Sequence, residues 1–414
     1  MFTMKRILTS AAMCIGLSTT AYAQQEITIG VIEPMSGAGA QTGIDAKAAM
    51  ETAAEIINEN IDLDLPLGPG VGLTNFGGAK IKLIFADHQA DPQKGRAEAE
   101  KLITENKVSA IVGAYHSAVA AVVSQVAERY QVPFLAADSS SPSLHRRNLK
   151  WFFRTSAHDE MFSAAMFDFY ADLKSKKNID VGSVSLFYED TIFGTDSSNV
   201  QRKLAGERGI KIAGEIKYRA NSPSLTSEVQ QLKSSNGTVL MPSSYTTDAI
   251  LLTKTMGELG YKPQAIVAQA AGFAEQAFLE AVGDKAEGIV SRSSFALDLA
   301  EKRPMIAKVN ELYKKRSGKD LNDNSARQFM AILVIADAID RAASTKSEDI
   351  RTALQKTDIP GEKTIMPWAN VRFDETGQNT GATPVLVQVQ SGAFRSVWPF
   401  ETASKPVVWP MPGR

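Results

Sequence analysis

Polar residues that could do chemistry stand at the ends of apolar runs in this chain, and their types suit binding. The run Val132-Pro133-Phe134-Leu135 opens into Asp138 followed by Ser139, Ser140 and Ser141. Such a stretch is either a solvated turn, in which Asp138 bonds local amides, or one wall of a ligand cleft. In the second case Asp138, Ser139 and Ser140 would accept from an ammonium or amide, and the ligand would supply the partner that a buried acid needs. Ser117 stands where a helix should begin, so its hydroxyl and the free N–H groups there suit a carboxylate. Simple N-capping would use the same serine. Tyr115, Phe193 and Tyr245 fall at loop positions, where rings can close over a small ligand or pack into a core.

The catalytic patterns fail in turn. In the glycine-rich segment Met35 to Gly43, the third glycine comes one residue late for GxGxxG, and no P-loop lysine follows. There is no GxSxG and no HExxH. His88, His116, His145 and His158 lack zinc-ligand spacing. A triad of Ser117, His116 and Asp138 would need sequence neighbours to face each other, which triads rarely do. No enzyme activity, metal or cofactor is expected.

The elements that must position these residues alternate. Strands are expected at Ile27 to Ile32, Ile81 to Phe85, Val108 to Val112 and Val132 to Leu135. Helices are expected at Ala46 to Asn58, Pro92 to Asn106 and Ala118 to Tyr130. A second series follows Arg154, with strands at Val184 to Tyr188, Ile210 to Ile216 and Val239 to Pro242. Its helices are Met161 to Leu173, Asn199 to Gly206, Leu225 to Ser234 and Asp248 to Leu259. This alternation implies βαβ units and two wound α/β halves with mostly parallel sheets. Asp62 to Gly78 reads as a loop inserted in the first half. Ligands of parallel sheets bind at the carboxyl ends of strands, which is where residues 35–43, 113–117 and 135–142 fall.

The opening segment sets the compartment. Lys5 and Arg6, an apolar stretch from Ile7 to Ser18 and the small-x-small site Ala21-Tyr22-Ala23 form a secretory signal peptide, with cleavage expected after Ala23. The single cysteine, Cys14, lies inside it, and a methionine before that cysteine argues against a lipobox. The exported chain would therefore carry no disulfide, as a large protein with an ample core can. Removing Lys5 and Arg6 takes the formal net charge from −1 to −3. No basic stripe for nucleic acid and no polybasic membrane patch is present, and no stretch reaches the roughly 20 apolar residues of a membrane span.

The order ITIGVIEPMSGAGAQTG, FADHQADPQKGRAEAEKLI, VSAIVGAYHSAVAAVVSQVAERYQVPFL, FFRTSAHD, LFYEDTIFGTD, AEGIV and VRFDETGQNTG resembles the periplasmic binding proteins for branched-chain amino acids, the solute-binding subunits of ABC importers. The resemblance covers nearly all of the mature chain. It implies a type I periplasmic binding fold: two doubly wound α/β lobes, a central cleft and three crossover strands. Lobe one would span 24–156 plus 292–380, and lobe two 157–291 plus 381–414. Lobe closure over the ligand would present a surface to a membrane permease.

By the same resemblance Ser117 holds a ligand carboxylate, and Asp138, Ser139 and Ser140 lie on the loop that receives an ammonium. The family tyrosine of the first loop falls on Thr42, and the second-lobe aromatics fall on Phe193 and Tyr245. The second-lobe acid should lie near Gln269 or Ala270, where there is none, so Asp138 is expected to supply the countercharge instead. The implied ligand is an amino acid, possibly branched-chain, or a related small molecule. Aromatic or other organic acids and amides are the alternative, and a ligand-sensing module is a further one. The implied partners are separate permease and ATPase chains, and a periplasmic monomer is expected. His88 and His116 are expected to be close in space. Arg327 is expected just before a helix at Phe329 to Ala342, either reaching a ligand acid group or lying on the surface.

Overall fold

The computed structural model describes residues 25–413, so the signal segment expected over residues 1–23 lies outside the described residues. The first half runs β1 (Glu26–Glu33), α1 (Ala40–Asn58), β2 (Lys80–Asp87), α2 (Pro92–Thr104), β3 (Ala110–Gly113), α3 (Ser117–Tyr130), β4 (Phe134–Ala136) and β5 (Phe152–Arg154). These strands form one parallel sheet in the order β2-β1-β3-β4-β5. Its apolar runs are buried on both faces, as parallel strands covered by helices require. The inserted segment between α1 and β2 has little regular structure, yet it buries Leu63, Leu65 and Leu73 in the first core.

The chain then crosses into a second sheet. Its elements are α4 (Asp159–Lys177), β6 (Ser183–Glu189), α5 (Ile192–Glu207), β7 (Lys211–Tyr218), α6 (Thr226–Ser235), β8 (Val239–Ser243), α7 (Thr246–Glu258), β9 (Ala265–Ala268), α8 (Gln276–Val282) and β10 (Val290–Ser293). It crosses back for α9 (Pro304–Ser317), α10 (Asp323–Ala342), α11 (Ser347–Gln355) and the small antiparallel pair β11 (Ile359–Pro360) and β12 (Asn370–Val371). A last crossing delivers the hairpin β13 (Val385–Gln390) and β14 (Ala393–Trp398). The second sheet has the order β14-β13-β10-β9-β8-β6-β7. It is parallel except at β13 and β14. The hairpin turn Ser391-Gly392 has φ of 53° and 71°, the doubly left-handed geometry that suits the right-handed twist of its strands.

Each sheet has its own core. Val31, Met50, Ile57, Phe329 and Ile332 pack together where α1 and α10 cover the first sheet, while Leu102, Val123 and Phe134 fill its other face. Leu186, Phe187, Met241, Val267 and Leu386 belong to the core of the second sheet. Each such side chain contributes roughly 1.5–3 kcal/mol on burial. The helix starts follow local chemistry. Pro92 opens α2 behind Asp91, whose carboxylate accepts from Gln93 N at 2.7 Å and Lys94 N at 3.2 Å. Asn322 and Ser325 form a capping box at α10.

Three helices begin earlier than the apolar periodicity suggests: α1 at Ala40, α5 at Ile192 and α10 at Asp323. Their first turns carry polar and small residues that read as loop, but burial of Thr42, Asp45, Ser197, Asp323 and Asn324 within the fold holds them helical. Thr42, Phe193 and Arg327 therefore sit on helices. The fourth strand is Phe134–Ala136, two residues beyond the expected start, because Val132 and Pro133 end the turn from α3.

Candidate functional site

Loops at the carboxyl ends of the strands of both sheets meet in one buried place. Tyr115 and Ser117 follow β3, Asp138 and Ser140 follow β4, and Phe193 stands in the first turn of α5. Tyr245 precedes α7, and Ala271 follows β9. With Arg292 of β10 and Arg327 of α10 they line a cavity of about 10 Å³, room for roughly one water. Larger cavities lie elsewhere. One of about 450 Å³, near Phe295, Leu297 and Phe394, contains none of the sequence-predicted site residues. Size alone is a poor guide here, because rings from both halves fill the place where polar groups converge.

Tyr245 is central to that filling. Its ring lies 5.3 Å from Tyr115, 5.0 Å from Phe193 and 4.5 Å from His116, centroid to centroid. Its hydroxyl accepts from Ser117 N at 3.3 Å. Ser117 is the first residue of α3 and not its cap, since His116 takes the N-cap position and no side chain caps the helix. The Ser117 hydroxyl accepts from Ser141 N at 3.4 Å. Close backbone approach makes this geometry possible. Gly113 has φ of 128°, and a Cβ there would lie 2.3 Å from Ile32 O. A Cβ at Gly272 would lie 2.5 Å from Thr246 Cα at the start of α7.

Three expected residues lie outside the cavity. Thr42 is buried, with its hydroxyl 3.5 Å from that of Thr246 in the other half. Ser139 is buried behind the loop, and its carbonyl accepts from Arg154 Nη1 at 3.1 Å. Gln269 spends its amide within the second half: Oε1 accepts from Ser163 at 3.2 Å and from Gln201 at 3.0 Å, and Nε2 donates to Asp159 at 3.0 Å.

Asp138 requires a correction. It lines the cavity, but its charge is already matched: Arg327 Nη1 lies 3.2 Å from Oδ1, and Gln328 Nε2 donates to Oδ2 at 2.7 Å. It is neither a free countercharge nor a solvated turn acid. Burial pushes its carboxyl up to about 7, against the pull of Arg327. Arg327 is correspondingly buried and far from the surface alternative. It donates to Asp138 O at 2.9 Å, to Asp323 O at 3.2 Å and to Asp323 Oδ2 at 2.7 Å.

Sequence reasoning missed Arg292, Glu275 and Glu33. Glu275 is buried and accepts from Asn322 at 3.1 Å, while Glu33 accepts from Gln328 at 2.8 Å. Burial raises both carboxyls well above the usual range, and the Asp138 charge adds to that. A signal was available. Arg292 is a lone cation in the strand Val290–Ser293, and Glu33 closes the apolar strand β1. A charge inside a buried strand must find a partner.

His88 and His116 meet edge to face, with ring centroids 5.3 Å apart. Burial lowers His88 to about 4 and holds His116 well below its ordinary value. Among the described residues no group of three metal-ligating side chains forms.

Two wound α/β halves joined by three crossings, with polar loops of both converging on one cavity, have the architecture of a type I solute-binding protein. The periplasmic binding protein family matches residues 26–393, and the chain belongs to that family. Its members are binding proteins and not enzymes, and the family is periplasmic. Among the described residues no helix is long and apolar enough to cross a membrane. The Leu/Ile/Val-binding protein homolog 7 of Brucella suis is 27% identical over 404 residues, covering 96% of this chain and 97% of its own. The structure of a leucine-binding protein from Thermotoga maritima aligns with a TM-score of 0.76 at 22% identity, covering 89% of this chain and 97% of its own. A solute-binding protein of an ABC transporter from Rhodopseudomonas palustris, in complex with 3,4-dihydroxybenzoic acid, aligns with a TM-score of 0.73 at 18% identity, over 89% and 95% of the two chains.

Proposed function

We propose that this protein is the solute-binding subunit of an ABC importer, capturing a small carboxylate-bearing ligand between two lobes and delivering it to a separate permease and its ATPase. One lobe comprises residues 24–156 and 292–380, the other 157–291 and 381–414. The separate cores of the two sheets support two lobes, with β10 running on to Ser293 in the second sheet. The observation that carries the reading is the convergence of Tyr115, Ser117, Asp138 and Ser140 from one half with Phe193 and Tyr245 from the other on one buried cavity. Ser117 at the start of α3 offers its hydroxyl to a carboxylate, with its backbone N–H held by Tyr245. The aromatic rings supply an apolar body contact.

Relatives of this architecture serve amino acids and aromatic acids alike: one neighbour is called a leucine-binding protein, and another holds 3,4-dihydroxybenzoic acid. The test is a thermal-shift screen of the mature protein against amino acids, small amides and organic acids. A ligand at about a hundredfold excess over its Kd adds roughly 2.7 kcal/mol of stability, and Ser117→Ala should diminish that shift. Hydrolysis of ester or amide substrates, or no shift with any small solute, would overturn the reading.

A further inference from the structure

Among the described residues three arginines are buried, and two are fully engaged. Arg154 donates to Gln378 at 2.6 Å, to Ser139 O at 3.1 Å and to Ser141 O at 2.8 Å, and its remaining nitrogen meets His145. Arg327 is held by Asp138 and Asp323 as described. Arg292 is different. Among the described residues its only side-chain hydrogen bond is the 3.3 Å contact from Nη1 to Asp323 Oδ2. Nη2 stands 3.9 Å from Asp159, too far for a hydrogen bond. Among the described residues nothing accepts from Nε. The guanidinium is 2% exposed, lines the cavity with Ser117 and Ser140, and lies face-on over Phe162 at 3.7 Å.

A planar donor fork with open N–H groups in a dry site matches a carboxylate. Leaving such a buried donor unmatched is costly. An ammonium has no equivalent partner. Asp138 Oδ2 accepts from Gln328, and Oδ1, which accepts no hydrogen bond among the described residues, is ion-paired with Arg327 Nη1 at 3.2 Å. Asp323 serves Arg292, Arg327 and the Ser294 amide. Asp159 accepts from Ser197 and Gln269. Glu33 and Glu275 have carboxyls raised by burial, which favours their neutral forms. A ligand amine would therefore enter beside two guanidinium groups with every nearby carboxylate already engaged or neutral, an unfavourable burial of charge.

We propose that the ligand is an organic carboxylate lacking an amine, and that Arg292 holds its carboxylate and sets that selectivity. The inference rests on the solute-binding reading and narrows its ligand class. It makes the missing second-lobe acid intelligible, since no ammonium has to be met.

Isothermal titration of the mature protein with matched probes tests it. The amine-free acids are 3-phenylpropanoate, 4-methylpentanoate, benzoate and 4-hydroxybenzoate. L-phenylalanine and L-leucine are the amine-bearing counterparts of the first two, and the carboxamides of all four acids serve as uncharged controls. At least one amine-free acid should bind, and any matched amine should bind it at least about tenfold more weakly. Arg292→Gln should lower the acid's affinity on the order of 100-fold and abolish its advantage over the carboxamide. A structural role alone would lower both equally. Should Arg292→Gln fail to fold, Arg292→Lys reads the same carboxylate-to-carboxamide ratio, which should fall by about tenfold. Tighter binding of L-phenylalanine or L-leucine, or an unchanged ratio in the variants, would sink the inference and leave the solute-binding reading intact. Failure of every acid, amine and amide to bind would overturn both.

Discussion

At the residue scale, the clearest device is the buried histidine pair behind Tyr245. His88 packs edge to face on His116, which in turn packs on Tyr245. Burial lowers His88 to about 4, with Asp87 pulling weakly the other way. A base whose folded pKa lies below its unfolded value near 6.5 stabilises the fold fully above about pH 6.5. That contribution is lost as pH falls towards 4. Glu33 and Asp138 act in the opposite sense, because acids with raised folded pKa values penalise the fold as pH rises. The net curve therefore mixes signs, and a variant isolates one group. Relative to its own stability at pH 7.5, His88→Gln should lose less at pH 4.5 than the parent, by a few kcal/mol at most. Urea unfolding of both proteins at the two pH values checks this, and equal losses would mean that His88 is not held neutral.

At the element scale, α10 does more than fill the first core. Its buried apolar positions Phe329, Ile332, Leu333 and Ile335 face that core, while its first turns carry Arg327 to the cavity and hold Asp323 and Gln328 against Arg327 and Asp138. Arg327 bridges the loop after β4 to its own helix through Asp138 and Asp323. The whole group is dry, so its worth lies in being complete. Removing one partner strands buried charge at a cost of about 3–5 kcal/mol, whereas the intact pair itself adds little net stability. Arg327→Ala is therefore expected to lower the unfolding free energy by that amount in denaturant titration. Asp138→Asn with Arg327→Met should recover much of the loss. Additive losses in the double variant would show that the two side chains do not act as a pair.

At the scale of the whole molecule, two cores joined by three crossings make relative motion of the halves the natural mode of ligand entry, with the crossings as hinge. The Thr42 and Thr246 hydroxyls, 3.5 Å apart, mark a point where the halves touch. Residues 25–413 contain no cysteine, so an engineered pair there would have no competitor among them. Thr42→Cys with Thr246→Cys should cross-link under oxidation and abolish ligand-induced thermal shifts until a reductant is added. A cross-linked protein that still takes up ligand at the parent rate would show that access does not require separation at this point.

The alternating elements and the two wound halves were legible in the residues alone, as was the convergence of polar loops at the strand ends. Those properties follow from local signals: apolar periodicity, Asp91 before Pro92, and polar residues at strand ends such as Ser117 and Asp138. Periodicity lost its grip where tertiary burial stabilised polar helix turns, as around Thr42 and Arg327. The pairing of buried charges emerged only on folding. Asp138 follows β4, far in sequence from Arg327 and Asp323 on α10, and no local pattern says that this acid is already spent on an arginine of another element. Nor could any pattern show that Arg292, a single cation in a buried strand, keeps an N–H without a partner beside the cavity. Local chemistry sets which groups are present and where an element begins. The energy of a buried charge depends on what stands within a few ångströms, and only the folded chain brings those groups together.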